Sequence, residues 1–315
     1  MADDRESDAP RTAYSDAQQR LLQRYGLGGA SAHVTIGKPV ERLHYLETGS
    51  GPPTVFLHGV GVSAVTFVPL LADLEDVVTG YALDRPGRGL SDPYHHRDDD
   101  VRRFTRRVVD RFLDELALDS VNLVGNSFGG FQALAYALDR PDRVDRLALL
   151  GAPAGLTRDL PWSYRLLGVK LVNRLMFRLA AASSVEALRD RLSPLLVLDD
   201  TALDDELVEA LYHGDRMAHQ SASLRSLTEV TAGLRGVSNT MVIREEVIDL
   251  EVPTLFVWGD GDYFYEPSVG RPVAEAMPDA EFVELPDHGH GPWLEPTDEV
   301  AAIAGQFLQG ERPSQ

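Results

Sequence analysis

The segment GNSFGG, residues 125–130, contains the residues of this chain that are best suited to nucleophilic chemistry. Ser127 lies between Gly125 and Gly129, after a short run with the apolar residues Val121, Leu123 and Val124 and before a predicted helix. A tight turn from a buried strand into a helix strains the backbone of its tip residue, and glycine leaves the space that such a turn needs. The hydroxyl of the tip residue is then exposed above a helix N-terminus, which stabilises negative charge. The spacing therefore predicts that Ser127 is a catalytic nucleophile.

A serine nucleophile needs a general base and an acidic residue that orients this base. His290 follows the last predicted strand, and we favour it over His288 because the pattern Gly–His–x–Pro–x–x–Glu is centred on it. Asp262 lies in WGDGDYFYEP after another predicted strand. We favour Asp262 over Asp260, which we expect to form the turn. The predicted triad is Ser127, Asp262 and His290, in that chain order.

The oxyanion of a tetrahedral intermediate requires backbone N–H donors. Phe128 follows the nucleophile directly, and Val60 lies in the turn HGVG after the short predicted strand Thr54–Leu57. We predict that the N–H groups of these two residues form the oxyanion hole. We interpret His58 as a structural residue that supports the turn. This chemistry needs no metal and no organic cofactor.

The charge balance is strongly acidic. The 315 residues include 49 Asp and Glu against 30 Lys and Arg, which gives a net charge of −19. Such a surface repels nucleic acid and anionic membranes, so we expect neither as a partner. The absence of cysteine excludes disulfides and thiol catalysis. No apolar stretch is long enough to span a bilayer and the start MADDRESDAP does not resemble a signal peptide, so we expect a cytoplasmic protein.

Strands alternate with helices along most of the chain, which predicts a mostly parallel sheet covered by helices on both faces. Ligands of such sheets bind beyond the carboxyl ends of the strands, where Ser127 and the HGVG turn both fall. One long segment lacks predicted strands and is interpreted as a helical insertion. The predicted organisation is a disordered acidic tail at 1–14, an α/β core at 15–154 and 249–309, an all-helical cap at 155–248, and a frayed tail at 310–315.

These motifs together resemble the α/β-hydrolase superfamily. The resemblance rests on HGVG, DRPGRGLSD, GNSFGG, GDGD and GHGP, which occur in the expected order from about residue 32 to residue 308. Membership implies an eight-stranded, mostly parallel sheet with a helical cap over the active site. A serine at the elbow argues against dehalogenase and epoxide-hydrolase chemistry, because the related enzymes use aspartate there.

Within the superfamily, GNSFGG and the stretch SSVEALRDRLSPLLVLDDTALDDELVEAL look most like the meta-cleavage-product hydrolases. Those enzymes cleave carbon–carbon bonds in vinylogous diketones. Their pattern has Pro-Gly and a polar Asn after the first turn, an arginine in the cap for the substrate carboxylate, and Trp after the base. This chain has at those places Val62, Ser63 and Pro69, then Ala210–Tyr212, and finally Gly291.

The predicted function is hydrolysis of carboxylic esters of small to medium apolar substrates through an acyl-enzyme. The cap is rich in Leu and Met and is expected to line an apolar pocket, although for most of these residues we favour a role in packing the cap onto the core. One alternative is carbon–carbon hydrolysis, which a cap arginine such as Arg174 or Arg178 directed at Ser127 would favour. A non-catalytic binding protein is a further alternative, and a homodimer is compatible with the cap.

The excess of Asp and the presence of only Lys38 and Lys170 as lysines look like the composition of proteins from salt-accumulating haloarchaea. A GC-rich bacterial genome would also favour Arg over Lys. In concentrated salt the Debye length falls to about 3 Å at 1 M, so the self-repulsion of an acidic surface is screened.

We therefore expect the melting temperature to rise between about 0.1 M and about 3 M KCl, because screening relieves the repulsion among surface carboxylates. Thermal unfolding followed by circular dichroism at several KCl concentrations measures this. A melting temperature that does not change over this range would contradict the halophilic interpretation.

Overall fold

The computed structural model describes residues 9–96, 100–179, 182–295 and 297–311. The strands are β1 (Ser31–Thr35), β2 (Arg42–Gly49), β3 (Pro53–Leu57), β4 (Thr79–Leu83), β5 (Val121–Gly125), β6 (Val144–Leu150), β7 (Ala232–Gly233), β8 (Gly236–Val237), β9 (Thr254–Gly259) and β10 (Ala280–Leu285).

The α-helices in these residues are α1 (Ala9–Arg24), α2 (Val68–Asp73), α3 (Val101–Glu115), α4 (Phe128–Asp139), α5 (Trp162–Arg165), α6 (Lys170–Leu179), α7 (Val185–Leu196), α8 (Asp205–Asp215), α9 (Ala218–Thr231), α10 (Arg244–Val247), α11 (Pro267–Ala276) and α12 (Thr297–Leu308). Short 3₁₀ helices occur at Ala64–Phe67, Pro141–Arg143, Leu166–Gly168, Asp200–Ala202, Asn239–Met241 and Pro292–Leu294. None of the helices in the described ranges combines the length and the apolar character needed to cross a membrane.

Within the described residues, eight strands form the central sheet in the order β1-β2-β4-β3-β5-β6-β9-β10. Strand β2 pairs antiparallel with β1 and with β4, and the other neighbours are parallel. Parallel strands end at the same edge, so the loops after β3, β5, β9 and β10 meet there. The predicted eight-stranded, mostly parallel sheet is confirmed.

Helices cover both faces of the sheet, and the central strands are therefore buried on both sides. In β9, Phe256 and Trp258 pack with α3, α4 and α11, whereas Leu255 and Val257 pack with α2 and α12 on the opposite face. This alternation follows from the two-residue period of a strand. A strand that is apolar at every position therefore indicates a sheet covered on both faces.

The start of the chain differs from the prediction, because residues 9–14 are helical and their predicted disorder is wrong. Tyr14 is buried, and its hydroxyl is hydrogen-bonded to Ser63 Oγ at 2.9 Å. A side chain 49 residues away in sequence therefore fixes this turn of the helix. Residues 1–8 lie outside the described residues. At the other end of the chain, the N–H groups of Gly310 and Glu311 donate to carbonyls of α12, and residues 312–315 lie outside the described residues.

The insertion also differs from the prediction at one place, because it is not helical throughout. Strands β7 and β8 form a two-residue antiparallel ladder. Gly236 has a φ of +105° at this turn, and the Val237 N–H donates to the Arg158 carbonyl at 3.0 Å. Two residues per strand are too few to show an apolar alternation, so the sequence pattern contains no signal for this ladder.

A buried hydrogen-bonded pair joins β2 to the loop after β4. His44 Nδ1 lies 2.6 Å from Asp84 Oδ2, and neither side chain is exposed. The carboxylate also accepts hydrogen bonds from the N–H groups of Ala64, at 2.8 Å, and Leu90, at 2.9 Å. Burial alone would raise the pKa of Asp84, but the bond and charge of His44 and the Ala64 N–H outweigh burial and hold this pKa at about 2.

We expect Asp84→Asn to lower the free energy of unfolding by about 3 kcal/mol, because the buried His44 then lacks the carboxylate with which it pairs. Urea unfolding at neutral pH measures this loss. Asp142→Asn is the matched control, because Asp142 pairs with Arg140 on the surface and should contribute less than about 1 kcal/mol. Equal, small effects of both substitutions would show that the buried pair does not hold these loops.

Candidate active site

The turn from β5 into α4 is held in a strained conformation. Ser127 has φ +54° and ψ −117°, which is a rare conformation for a residue with a side chain. A Cβ atom at Gly125 would lie 2.6 Å from the carbonyl oxygen of Gly129, and a Cβ at Gly129 would collide with the carbonyl oxygen of Leu57. Glycine is therefore required on both sides of Ser127, as the sequence predicted.

The carbonyl of Ser127 is tied down by two hydrogen bonds. It accepts from the N–H of Phe131 at 3.0 Å, in the first turn of α4, and from the N–H of Ala154 at 2.9 Å. The N–H of Phe128, the first residue of α4, has no hydrogen-bond acceptor among the described residues. A free N–H at a helix N-terminus is well suited to an anionic oxygen.

His290 and Asp262 form a buried pair at the same edge of the sheet. His290 Nδ1 lies 2.7 Å from Asp262 Oδ2, and their side chains are 3% and 0% exposed. Asp262 also accepts from the N–H groups of Ala152, at 2.9 Å, and Phe264, at 2.8 Å. Burial would raise the pKa of Asp262, but the charge and hydrogen bond of His290 and these N–H donors lower it below the usual carboxyl range.

The second ring nitrogen of His290, Nε2, is buried and has no hydrogen-bond partner among the described residues. The imidazole ring packs against Phe264, with 4.5 Å between the ring centroids. Since Asp262 occupies Nδ1, a proton on Nδ1 leaves Nε2 as the acceptor. His290 and Ser127 line the same cavity.

The rejected alternatives lie elsewhere. His288 Nδ1 donates to the Pro286 carbonyl at 2.7 Å, and His288 does not line the cavity. Asp260 is exposed in the turn after β9. His58 is buried, donates from Nδ1 to the Gly59 carbonyl at 2.9 Å, and accepts at Nε2 from the Arg85 N–H at 3.2 Å. This placement agrees with a structural role for His58.

The orientation of the Gly59–Val60 peptide is set by two donors. The Gly59 carbonyl accepts from His58 Nδ1 and from Arg85 Nη2, the latter at 2.8 Å. In a trans peptide the N–H points opposite to the C=O. The N–H of Val60 therefore points away from Arg85, and it has no hydrogen-bond acceptor among the described residues. Val60 lines the cavity.

Two arginines of DRPGRGLSD hold the turn that follows β3, and the sequence analysis assigned no role to either. The buried Arg85 guanidinium also lies 4.9 Å above the ring of Phe128, and burial together with the charge of Arg88 lowers the pKa of Arg85 to about 9. Arg88 donates to the carbonyls of Gly61, at 2.7 Å, and Val62, at 3.1 Å. The signal that could have found them is the presence of two arginines close to Asp84 in a short glycine-containing loop directly after a buried strand.

The cavity has a volume of about 140 Å³ and is lined by residues of the sheet edge and of the insertion at 155–248. Its walls include Val60, Ser127, Phe128 and His290. The cap and the neighbouring loops supply mostly apolar lining from Leu160, Tyr164, Leu167, Leu192, Leu195, Leu196, Thr228, Thr231, Ala232, Val237, Met241, Phe264 and Tyr265. Among the residues that the structure describes, no Arg, Lys, Asp or Glu lines this cavity.

The two cap arginines considered for a substrate carboxylate do not reach this cavity. Arg174 lines a different pocket, and Arg178 is exposed. No group of three or more His, Asp or Glu side chains in the described ranges is arranged to hold a metal ion.

The comparisons agree with this fold. A family model described as alpha/beta hydrolase fold matches residues 52–296. The chain belongs to this family. It is 31% identical over 282 residues to a 2-hydroxy-6-oxononadienedioate/2-hydroxy-6-oxononatrienedioate hydrolase from Cupriavidus pinatubonensis, with 86% of this chain and 93% of the relative covered. The predicted superfamily is thus confirmed.

Two solved structures illustrate the range of neighbours. Naproxen esterase from Bacillus subtilis superposes with a TM-score of 0.74 at 21% identity, covering 94% of this chain and 97% of the esterase. A meta-cleavage product hydrolase from Pseudomonas fluorescens IP01 has a TM-score of 0.71 at 24% identity, covering 89% and 97%. At these identities the likeness shows the shared fold alone.

Proposed function

We propose that this alpha/beta hydrolase is a serine hydrolase that transfers the acyl group of an uncharged, apolar carbonyl substrate to water. One observation carries the proposal: Ser127, at the strained tip of its turn, and His290, paired with the buried Asp262, line one apolar cavity. A nucleophile, a base and an orienting acid on separate loops are the parts that acyl transfer needs.

In the proposed mechanism, His290 Nε2 takes the proton of Ser127 as Oγ attacks the carbonyl carbon. Asp262 holds the proton on Nδ1 and stabilises the imidazolium that forms. His290 then gives its proton to the leaving group, and an acyl-enzyme remains on Ser127. Water, activated by the same histidine, releases the acid. Hydrogen bonds of this kind are often longer in the free enzyme than in the complex.

The oxyanion of the intermediate lies between the N–H groups of Val60 and Phe128 in this proposal. A donor in such a position contributes about 3–4 kcal/mol to transition-state stabilisation. Arg85 acts as a positioning residue, since it fixes the Gly59–Val60 peptide and stacks on Phe128, and therefore contacts both halves of the hole.

The geometry supports an ester as the substrate. A carboxylate buried in this cavity would need a cation or several donors, because an unpaired buried charge is very costly. No cationic side chain of the described residues lines the cavity, so an uncharged acyl chain fits its walls best.

Carbon–carbon hydrolysis is the second candidate, and the names of the relatives favour it over ester cleavage. The Cupriavidus relative is named for dienedioate and trienedioate substrates, and a Burkholderia cepacia relative for a phenylhexadienoate. The same serine, histidine and oxyanion hole could act on a ketone. The absence of a cation around the described cavity is what ranks this candidate second.

Ser127→Ala should abolish hydrolysis of short and medium p-nitrophenyl esters in about 2–3 M KCl, because the mutant lacks the nucleophile. Hydrolysis is followed by p-nitrophenolate absorbance, with circular dichroism as the check on folding. His290→Gln should be similarly inactive. His288→Gln is the matched control, since it changes a buried histidine two residues away and should retain activity.

The same enzymes are then assayed with a vinylogous diketone that bears a carboxylate. Ester turnover with little diketone cleavage would support the proposal that the lack of a cation in the cavity selects uncharged substrates. Diketone cleavage by a wild type that is inert towards every ester would establish the second candidate instead. Ester turnover that survives in Ser127→Ala would contradict both.

Arg85→Met should lower kcat about 10- to 100-fold and change KM little, because the oxyanion hole acts on the transition state. Arg85→Lys should recover part of the rate, since an ammonium can still donate to the Gly59 carbonyl. Arg146→Met, which removes a guanidinium lying over Phe307 at 5.7 Å, serves as the control. A raised KM with unchanged kcat in Arg85→Met would rule out the positioning role.

A further inference from the structure

The first part of the cap is basic, although the whole chain is acidic. Residues 155–181 contain five basic residues and one acidic residue, a net charge of +4. The remainder of the chain must therefore have a net charge of −23 to give the total of −19. The whole-chain charge, from which we expected repulsion of anionic membranes, hides this local reversal of sign.

Helix α6 presents two leucines and three cations to solvent. Leu171 is 79% exposed and Leu175 is 56% exposed. Lys170, Arg174 and Arg178 follow at four-residue spacing, so these five positions fall within about 140° of the helix circumference. This solvent-facing arc contains no acidic residue.

The opposite side of α6 attaches the helix to the cap. Asn173 is fully buried, and its Nδ2 donates to Thr228 Oγ1 on α9 at 2.9 Å and to the carbonyl of Leu167. The exposed face is therefore set by packing. Exposed leucines on a helix that is anchored in this way call for a partner that covers them.

Trp162 is a further exposed aromatic residue of the same segment, 76% exposed at the start of α5 and eight residues before α6. We define the cap patch as Trp162, Lys170, Leu171, Arg174, Leu175 and Arg178. Exposed Trp and Leu together with Lys and Arg are the residue types that helices lying in a membrane interface use.

The cations of the cap patch are not neutralised within the protein. Among the residues that the structure describes, no carboxylate forms an ion pair with Lys170, Arg174 or Arg178, whereas arginines such as Arg102, Arg143 and Arg189 are paired. Lys170, Leu171 and Arg174 line a pocket of about 620 Å³ together with Arg225 and Glu229 on α9, so three cations and one carboxylate face it. This excess of cations favours an anionic head group.

We propose that the cap patch docks peripherally on an anionic lipid surface. The cations contact lipid phosphates, and Trp162, Leu171 and Leu175 enter the interface. Tyr164 and Leu167, from the same segment, line the cavity that contains Ser127, so docking places the lipid next to the wall of this cavity.

Charge complementarity favours a lipid surface over a second copy of the chain. In a two-fold dimer the same patch faces itself, which would bring like charges together. An anionic bilayer offers negative charge and apolar depth at once. Each basic residue near such a surface contributes enough for several-fold tighter binding.

Trp162 provides a direct readout. The other two tryptophans, Trp258 and Trp293, are buried at 0% and 2% exposure, so a blue shift of emission on adding vesicles reports on Trp162. Ser127→Ala protein is titrated with phosphatidylcholine vesicles and with vesicles containing about 30% phosphatidylglycerol, at about 0.1 M and about 1 M KCl. We expect the shift and co-sedimentation with anionic vesicles only, weakened at the higher salt.

Two variants test the patch itself. Arg174→Gln/Arg178→Gln should weaken binding to anionic vesicles about thirtyfold, and Arg106→Gln/Arg107→Gln, an exposed pair on α3, is the matched control. Leu171→Ser/Leu175→Ser should reduce the blue shift, and the same pair made in protein that keeps Ser127 should leave hydrolysis of soluble esters unchanged.

Equal binding to neutral and anionic vesicles, or equal loss in the α3 control, would overturn the proposal. So would the absence of any binding by folded protein, as judged by circular dichroism at each KCl concentration. Light scattering that shows a dimer, dissociated by the cap-patch variants, would assign the surface to a second copy instead. Because Ser127→Ala protein is used, none of these outcomes depends on catalysis.

Discussion

The close packing of α4 against the end of β3 is the constraint on which the candidate site depends. The backbone of Gly129 lies so near the Leu57 carbonyl that no side chain fits. The chain can therefore pass from β5 into α4 only by placing Ser127 at positive φ. Such strain costs about 1–3 kcal/mol, which the burial of β5 and α4 offsets. The result is a hydroxyl held at the carboxyl edge of the sheet.

The other site residues reach this edge on separate loops, and buried hydrogen bonds hold these loops together. Asn126 Nδ2 donates to the carbonyls of Leu150, at 2.7 Å, and His290, at 3.0 Å. The N–H of Ala152 donates to Asp262. The candidate site therefore lies at the carboxyl ends of the strands, and hydrogen bonds between neighbouring loops fix its geometry. The Asp84–His44 pair does the same for the turn after β3, through the N–H of Ala64.

The distribution of charge separates three regions of different chemistry. The core is acidic, the described walls of the cavity contain no charged side chain, and the outer face of α6 is basic. An uncharged cavity strengthens the electrostatic effect of the few donors that it contains, because little polar material screens them. The total charge of the chain therefore does not determine what either the cavity or the cap can bind.

Local signals in the sequence were sufficient to predict the alternating strands and helices of the core and the tight turn at Ser127. Both depend on residues that are close together along the chain, namely the glycines of the turn and the apolar residues of each strand. Strand ends in a parallel sheet share one edge, so the sequence also predicted that Asp262 and His290 lie close together, and they are 2.7 Å apart. Their catalytic roles stay a prediction. These parts of the molecule could be inferred without coordinates.

Tertiary structure alone decided the features that depend on distant residues. Residues 9–14 are helical where Tyr14 is hydrogen-bonded to Ser63, and the β7–β8 ladder is hydrogen-bonded to Arg158 through Val237. Neither contact leaves a pattern in the neighbouring sequence. The contacts of Arg85 and the outward face of α6 also depend on distant segments and leave no local pattern. Sequence determines which residues can do the chemistry, whereas packing between distant segments determines which groups face the cavity and which face solvent.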